Sequence, residues 1–389
     1  MRYSFRLAEL LGHSPDPRRR PGTIKAIVEH TGLDRHQVAA LLKNEIKYIP
    51  LMALSRLCDY LIENGYCSAD TLPGALFSVE PENFWELLAR RRRLELCIGV
   101  RRPDNRNSLD GAWVVASDSM LLGELLNGVS TLGGTSKHWG VGGGLVMDAR
   151  TAGEVPHPEH LRQTLVWSPG QDTFAEVTAQ AREVYEEFSE ASGDRAFVCL
   201  GSTKSNPAVE VILSQTFGCE AFQSQDEISD PTKRSCPFFL RYRNDDPHPP
   251  SCIAGLKLSA DSNNIKPGIY YETESGKWDL CDWDLETKDV AFVFYIHREP
   301  QGRLEMAMGG FSGRSTRLLA KFLASRAEEL WPPVFSGEGL AIGAYIIQFN
   351  IAQQDQPKER DVIRTELAAT SKVIPLAASV IQKRIEAIV

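Results

Sequence analysis

The stretch Ile24–Leu41, IKAIVEHTGLDRHQVAAL, restricts the local fold more than any other part of this chain. Ile24 and Ile27 recur at helical spacing, Gly32 and Leu33 interrupt the pattern, and Val38 and Leu41 resume it. Two short helices meeting at a sharp corner satisfy that spacing. The corner needs a residue that accepts positive φ, and Gly32 supplies it. Asp34 stands where an N-cap belongs, and Gln37 three residues later makes a near capping box, so a new helix starts at once. Its outward side carries Arg35, His36, Gln37 and Lys43.

At these residues the segment resembles the helix-turn-helix of the lambda-repressor/Cro-like family of transcriptional regulators. The resemblance runs on through IPLMALSRLCDYLIENG, where Leu54, Leu57, Cys58 and Leu61 keep helical spacing, and back to an initial helix near Phe5–Leu11. It covers about the first 65–75 residues and none of the rest. Two departures stand out. Val28 replaces the small residue usual mid-way along the first helix of the motif, which would splay the helix pair slightly. SPDPRRRPG is inserted between the first two helices.

The resemblance implies double-stranded DNA as a partner. A recognition helix needs donors for base edges near its N-terminus, where Arg35, His36 and Gln37 sit. Lys43 and Asn44 at the far end suit backbone phosphates, and Arg19 and Arg20, beside Arg18, could reach a phosphate or the minor groove. A plain helical hairpin has the same apolar spacing; the placement of Arg35 and His36 favours DNA over it.

A chain of 389 residues with 42% hydrophobic and 24% charged content is an ordinary globular composition for two or three domains. No window approaches eighteen consecutive apolar residues, and MRYSFRLAEL lacks the apolar core of a signal peptide, so a cytoplasmic protein without membrane contact is expected. The eight cysteines (58, 67, 97, 199, 219, 236, 252 and 281) show no CxxC pair and no histidines at ligand spacing. Reduced core thiols and no metal site follow; Cys236 and Cys252, which bracket a polar loop, are the alternative as a redox pair. The first 70 residues carry ten Lys+Arg against eight Asp+Glu, which leaves the remainder at −10 of a total of −8. Phosphate neutralisation by that acidic remainder is disfavoured.

After the turn-rich CSADTLPGALFSVEPEN, FWELLARRRR reads as a short helix, and then apolar strands alternate with helices. LELCIGV and AWVVA read as strands, SDSMLLGELLNGVS as a helix, FAEVTAQAREVYEEFSEA as a long amphipathic helix and RAFVCLG as a buried strand. DVAFVFYIH and RLEMAMGG form strands around a turn at Glu299–Gly302, LAIGAYIIQFNI is one more, and a C-terminal helix starts near Arg360. The expected fold class is α + α/β: an all-helical helix-turn-helix domain over 1–75 and a larger α/β ligand-sensing domain over 76–389, which could be two-lobed with lobes 84–170 and 171–389.

Two strand-to-helix crossings carry the chemistry of the body. In VCLGSTKSNPAVEVIL a strand ends at Gly201, Ser202, Thr203, Lys204 and Ser205 form a polar loop, and Asn206–Pro207 opens a helix. In MAMGGFSGRSTRLLAKFL the arrangement recurs with Gly309, Gly310, Ser312, Gly313, Arg314, Ser315 and Thr316. Amides at a helix N-terminus beside hydroxyls and a cation favour an anion, most naturally a phosphate. Neither loop is a Walker sequence or a dinucleotide fingerprint, and ordinary packing turns would look alike. Two such loops at the carboxyl edge of one sheet favour a ligand.

Lys137, His138 and Trp139 in STLGGTSKHWGVGGGLVMD suit a loop closing over that ligand, and Arg241, Tyr242, Arg243, Asp245, Asp246 and His248 form a further polar cluster. No GxSxG, HExxH or kinase signature appears, and no residue is assigned a catalytic role. The expected function is a DNA-binding transcriptional regulator, a repressor acting as a homodimer, whose α/β domain senses a small phosphorylated or nucleotide-like effector; no cofactor is expected. The C-terminal segment, with Leu367, Val373, Ile374, Ala377, Ile381 and Ile385, could contribute to a dimer interface or pack on its own sheet. The alternative function is a nucleotide-processing enzyme or defence-system effector carrying an autoregulatory helix-turn-helix.

Overall fold

The computed structural model describes residues 2–11, 22–43, 45–67, 69, 72, 76–101, 113–131, 158, 160–169, 174–191, 194–246, 249–259, 266–337, 339–351 and 369–386. The chain divides into two compact units, one of Met1–Glu82 with His297–Arg303 and Ser336–Leu340, the other of Asn83–Ile296, Leu304–Phe335 and Ala341–Val389.

In the first unit, β1 (Arg2–Phe5) pairs antiparallel with β2 (Phe77–Glu80), with Arg2 opposite Glu80 and Phe5 opposite Phe77. The helix expected near Phe5–Leu11 is therefore only α1 (Leu7–Leu10). Phe5 is drawn into the strand by a partner more than seventy residues away, and its ring meets that of Phe77 edge-on with centroids 5.3 Å apart. Then follow α2 (Thr23–Thr31), α3 (Arg35–Leu42) and α4 (Leu51–Glu63). Ile27, Leu33, Val38, Leu41, Leu57 and Leu61 share one buried cluster, each no more than 4% exposed. Burying each such side chain stabilises the unit by roughly 1.5–3 kcal/mol. Val28, the bulky departure from the motif, packs half-buried against this cluster.

The second unit opens with α5 (Phe84–Ala89), shorter than the helix expected through Arg93. Arg93 already starts β3 (Arg93–Arg101), and Arg91 turns back to the Leu87 carbonyl and to Asp194. Next come β4 (Trp113–Val114), α6 (Ala116–Thr131), β5 (His160–Trp167), α7 (Phe174–Glu190), β6 (Arg195–Leu200) and α8 (Ala208–Thr216). AWVVA thus contributes only two strand residues, because the helix already begins at Ala116. β7 (Phe238–Arg241), β8 (Ala254–Gly255), β9 (Gly268–Glu272) and β10 (Trp278–Asp282) form a separate sheet in the order β10-β9-β7-β8. β11 (Lys288–Arg298), β12 (Arg303–Gly310), α9 (Gly313–Arg326), β13 (Phe335–Gly337) and β14 (Leu340–Asn350) follow.

The C-terminal helix expected from near Arg360 begins outside the described residues, which resume at 369. Thr370–Pro375 is β15, antiparallel to β14 with Val373 opposite Ile347 and Ile374 opposite Ile346, and the helix is α10 (Ala378–Glu386). Val373 and Ile374 stand at helical spacing from Ala377 and Ile381, but their β-branched pair completes a sheet instead. Leu367 lies outside the described residues. α10 is anchored by Arg384, whose guanidinium pairs with the buried Glu272 carboxylate of β9.

The large sheet runs β13-β14-β11-β12-β6-β3-β4, with β15 on β14 and β5 on β3, and takes strands from both sides of residue 170. Leu94, Leu96 and Ile98 of β3, Ala196, Val198 and Leu200 of β6, and Leu304, Met306 and Met308 of β12 join the core that includes α5, α6 and α9. The alternate residues face the other way: Phe197 stacks on Phe188 of α7 at 4.9 Å, and Phe294 of β11 meets Phe217 just after α8 at 5.7 Å. Helices on both faces explain why these strands read as continuous apolar runs.

Candidate functional site

The helix-turn-helix is built from its own residues upward. The Thr31 hydroxyl donates to the Ile27 carbonyl at 2.6 Å and accepts the Leu33 N–H at 3.2 Å, which ends α2. Gly32 takes φ 73° and its N–H donates to the Val28 carbonyl, a conformation open to glycine without a Cβ penalty. Asp34 accepts the Gln37 N–H at 2.8 Å, and Gln37 Oε1 accepts the Asp34 N–H at 3.1 Å. This reciprocal capping box starts α3 where the sequence places it.

Arg35, His36 and Lys43 are exposed, while Val38 and Leu41 point into the core. The cap spends the oxygen of Gln37 and leaves its amide donors. Asn44, Arg19 and Arg20 lie outside the described residues. A short, firmly capped helix presenting two donors at its first turn is the geometry that reads base edges in a major groove.

In the second unit the two glycine loops meet. Gly201 donates its N–H to the Met308 carbonyl at 2.8 Å, and a Cβ on Gly309 would stand 2.3 Å from the Gly201 carbonyl carbon. The carboxyl ends of β6 and β12 therefore coincide, and the two strands run parallel. β3 is also parallel to β6, from Arg93 opposite Arg195 to Ile98 opposite Leu200. β6 feeds α8 on the face of α7, whereas α6 and α9 pack together on the opposite face. At the end of β6 the crossovers thus diverge to opposite faces, the place where open α/β sheets leave a crevice.

Most of the polar residues expected there are engaged within the protein. Lys204 pairs with Asp246 at 3.0 Å and lies over the rings of Tyr242 and Phe311 at 5.1 and 5.2 Å. Burial lowers its pKa, and the Asp246 charge opposes that shift. Asp246 is pushed up by burial, but hydrogen bonds from Arg243 and Lys204 outweigh this and hold its carboxyl below the usual range. The Thr203 hydroxyl meets that of Tyr242, and the Ser205 carbonyl accepts the Ser168 hydroxyl. Asn206 donates to the carbonyls of Cys97 and Leu200 and accepts the Ala208 N–H, so it ties the middle of β3 and the end of β6 to α8.

In the second loop Ser312 caps α9 with Ser315 in a capping box and also meets Asp289. Arg314 pairs with Asp289 at 3.1 Å and donates to the carbonyls of Asp284, Leu285 and Lys288. The Thr316 hydroxyl accepts the Gly310 N–H. Arg243 stacks over Trp283 at 5.2 Å and chelates Asp246, joining the polar cluster to Lys204. His248, Lys137, His138 and Trp139 lie outside the described residues.

Ser117 and Asp118, at the start of α6, also belong to this edge: Asp118 Oδ2 would lie 3.3 Å from a Cβ on Gly201, and Ser117 Oγ 3.4 Å from one on Gly313. In the sequence they read only as a helix start. Burial pushes the Asp118 carboxyl up to about 6, against the Ser117 and Ser205 hydroxyls and the Arg101 charge.

Among the described residues no group of three or more His, Cys, Asp or Glu could hold a metal ion, and no helix is long and apolar enough to cross a membrane. All eight cysteines are free thiols. Cys252 lies 3.2 Å from the sulfur of Cys219, which makes Cys219 its near neighbour. No curated protein and no solved structure matches the chain. Residues 18–62 match the family model of the Cro/C1-type HTH DNA-binding domain, so the N-terminal unit carries a DNA-binding helix-turn-helix of that type.

Proposed function

We propose that the protein is a transcriptional repressor whose α/β unit senses a small phosphorylated or nucleotide-like ligand and passes that signal to its DNA-binding helix-turn-helix. The observation that carries the DNA part is the capped helix α3, which exposes Arg35 and His36 within the segment matched by the Cro/C1-type family. The meeting of two glycine loops at the divergence of crossovers beside β6 supports the ligand. A homodimer fits both a palindromic operator and the apolar side chains bared around the start of α4, where Tyr48, Leu51 and Met52 are 74%, 79% and 68% exposed. Ligand binding alters the separation of the two recognition helices by favouring one dimer arrangement.

The test is a gel-shift assay of the full chain on the DNA upstream of its own gene. Binding is expected for the wild type and loss of the specific shift for Arg35→Ala with His36→Ala. Unchanged binding by the double variant overturns the placement of the recognition helix.

A further inference from the structure

The carboxyl edge at β6 carries one polar group that the protein itself leaves unanswered. Asp118 is 3% exposed, and its Oδ1 accepts the Ser117 hydroxyl at 3.2 Å. Its Oδ2 is buried and has no hydrogen-bond partner, since the nearby Ser205 hydroxyl donates instead to the Ser202 carbonyl at 3.3 Å, and it lies 3.3 Å from where a Cβ of Gly201 would be. Buried carboxylate oxygens in folded proteins are almost always met by donors, because the stripped hydration has to be replaced. An unmet one at the carboxyl edge of the sheet is a seat for a donor from outside.

A different chemistry faces it across Ser117. Gly313, exposed at the first turn of the fourteen-residue helix α9, has an amide that meets no acceptor among the described residues, and so does Ser202 at the end of β6. The Gly313 amide, at a helix start, attracts an anion, and the Ser202 amide at the strand end offers a second donor. Lys204 and Arg314 do not compensate a large anionic charge there, since each is paired with Asp246 or Asp289. A single phosphate group is thus the anion that amides alone can hold, and a hydroxyl on the same ligand is the donor that Asp118 lacks.

We infer that this edge binds a ribose phosphate unit, with the Gly313 and Ser202 amides on the phosphate and Asp118 Oδ2 accepting a sugar hydroxyl. The assignment rests on the reading of the α/β unit as a sensor of a phosphorylated ligand and names the part of the ligand that is recognised. A vicinal diol next to a phosphate ester is the common unit of ribonucleotides, and an acidic side chain on the ribose hydroxyl is how open α/β sheets read it.

The experiment is calorimetric titration of the full chain with the four ribonucleoside 5′-monophosphates, their 2′,3′-dideoxy counterparts and ribose 5-phosphate. At least one ribonucleotide is expected to bind roughly tenfold or more tightly than its dideoxy partner, the effect of one hydrogen bond to a charged acceptor. Asp118→Ala removes that ratio and leaves the dideoxy affinity as it was. Gly313→Pro provides a second variant, because proline is accepted at a first helical position and lacks the N–H; Ser312 before it is already extended at φ −127°, ψ 170°. It weakens both members of a pair alike and keeps their ratio. Equal binding of ribo and dideoxy forms, or a ratio that survives Asp118→Ala, overturns the hydroxyl assignment while the sensor reading stands. Absence of binding by every phosphorylated probe overturns both.

Discussion

Gly309 lies so close to Gly201 that a Cβ on it would stand 2.3 Å from the Gly201 carbonyl carbon and 2.8 Å from the Ser202 nitrogen. Backbone presses on backbone here, with no flexible side chain to yield. Gly309→Ala should therefore push β12 from β6 and cost about 1–3 kcal/mol or more, measured by urea unfolding. Gly123→Ala is the matched control: a Cβ there meets nothing within 4 Å, and helix α6 should gain roughly 0.5–1 kcal/mol. Equal stability of the two variants would remove the argument for close strand ends.

The reciprocal bonds between Asp34 and Gln37 fix where α3 begins. Asp34→Ala should lower the stability of the helix-turn-helix by about 1 kcal/mol, and Asp34→Ser should restore most of it. Thermal unfolding followed by near-ultraviolet signals from Tyr48, Tyr60 and Tyr66 reads this unit. A loss shared equally by the serine variant would show that charge, not capping, is at work.

Asp118 gives stability a pH dependence of known sign. Its folded pKa is near 6 against an ordinary 3.8, so between those values the folded chain holds a proton that the unfolded chain releases. Its contribution is fully favourable below about pH 4 and is lost as pH rises through 6. At pH 8 the carboxylate is a net cost, and Asp118→Asn should raise stability by on the order of 1–3 kcal/mol. The gain should shrink toward pH 4; a pH-independent difference would contradict this account.

Thiol chemistry is decided by burial. Cys97, Cys199, Cys236, Cys252 and Cys281 are buried, whereas Cys58, Cys67 and Cys219 are half-exposed. Burial raises the pKa of Cys58 and of Cys67, which also slows thiolate formation. Ellman titration of the native chain should find at most these three of the eight thiols reacting within minutes, and all eight after denaturation. Rapid labelling of Cys97 would show that β3 is not enclosed as described.

The local parts of the fold are legible in the sequence. Gly32, Asp34 and Gln37 determine the corner and the cap through contacts a few residues long, and the strands from Leu94, Ala196 and Ala291 declare themselves as apolar runs. What escapes is non-local. Phe5 joins a strand because Phe77 is there to pair with it, and Val373 joins β14 despite standing in a helical pattern. At the sheet edge, the loops from Gly201 and Gly310 are visible in the sequence, but their meeting is not. Neither is the engagement of Lys204 by Asp246 and of Arg314 by Asp289. Asp118 escapes for the same reason: in one dimension it begins a helix, and only the approach of Gly201 makes its carboxylate stand out.

The pairing of β1 with β2 sets Arg2 against Glu80, at opposite ends of the first eighty residues. That stem works as a clasp. A start codon read a few residues downstream, or an aminopeptidase that trims past Phe5, would delete one half of the clasp while leaving every exposed residue of α3 in the chain. The residues of β1, though distant in sequence from α3, therefore belong to the working length of this unit, and an expression tag placed before them lies beside the segment where the chain leaves it.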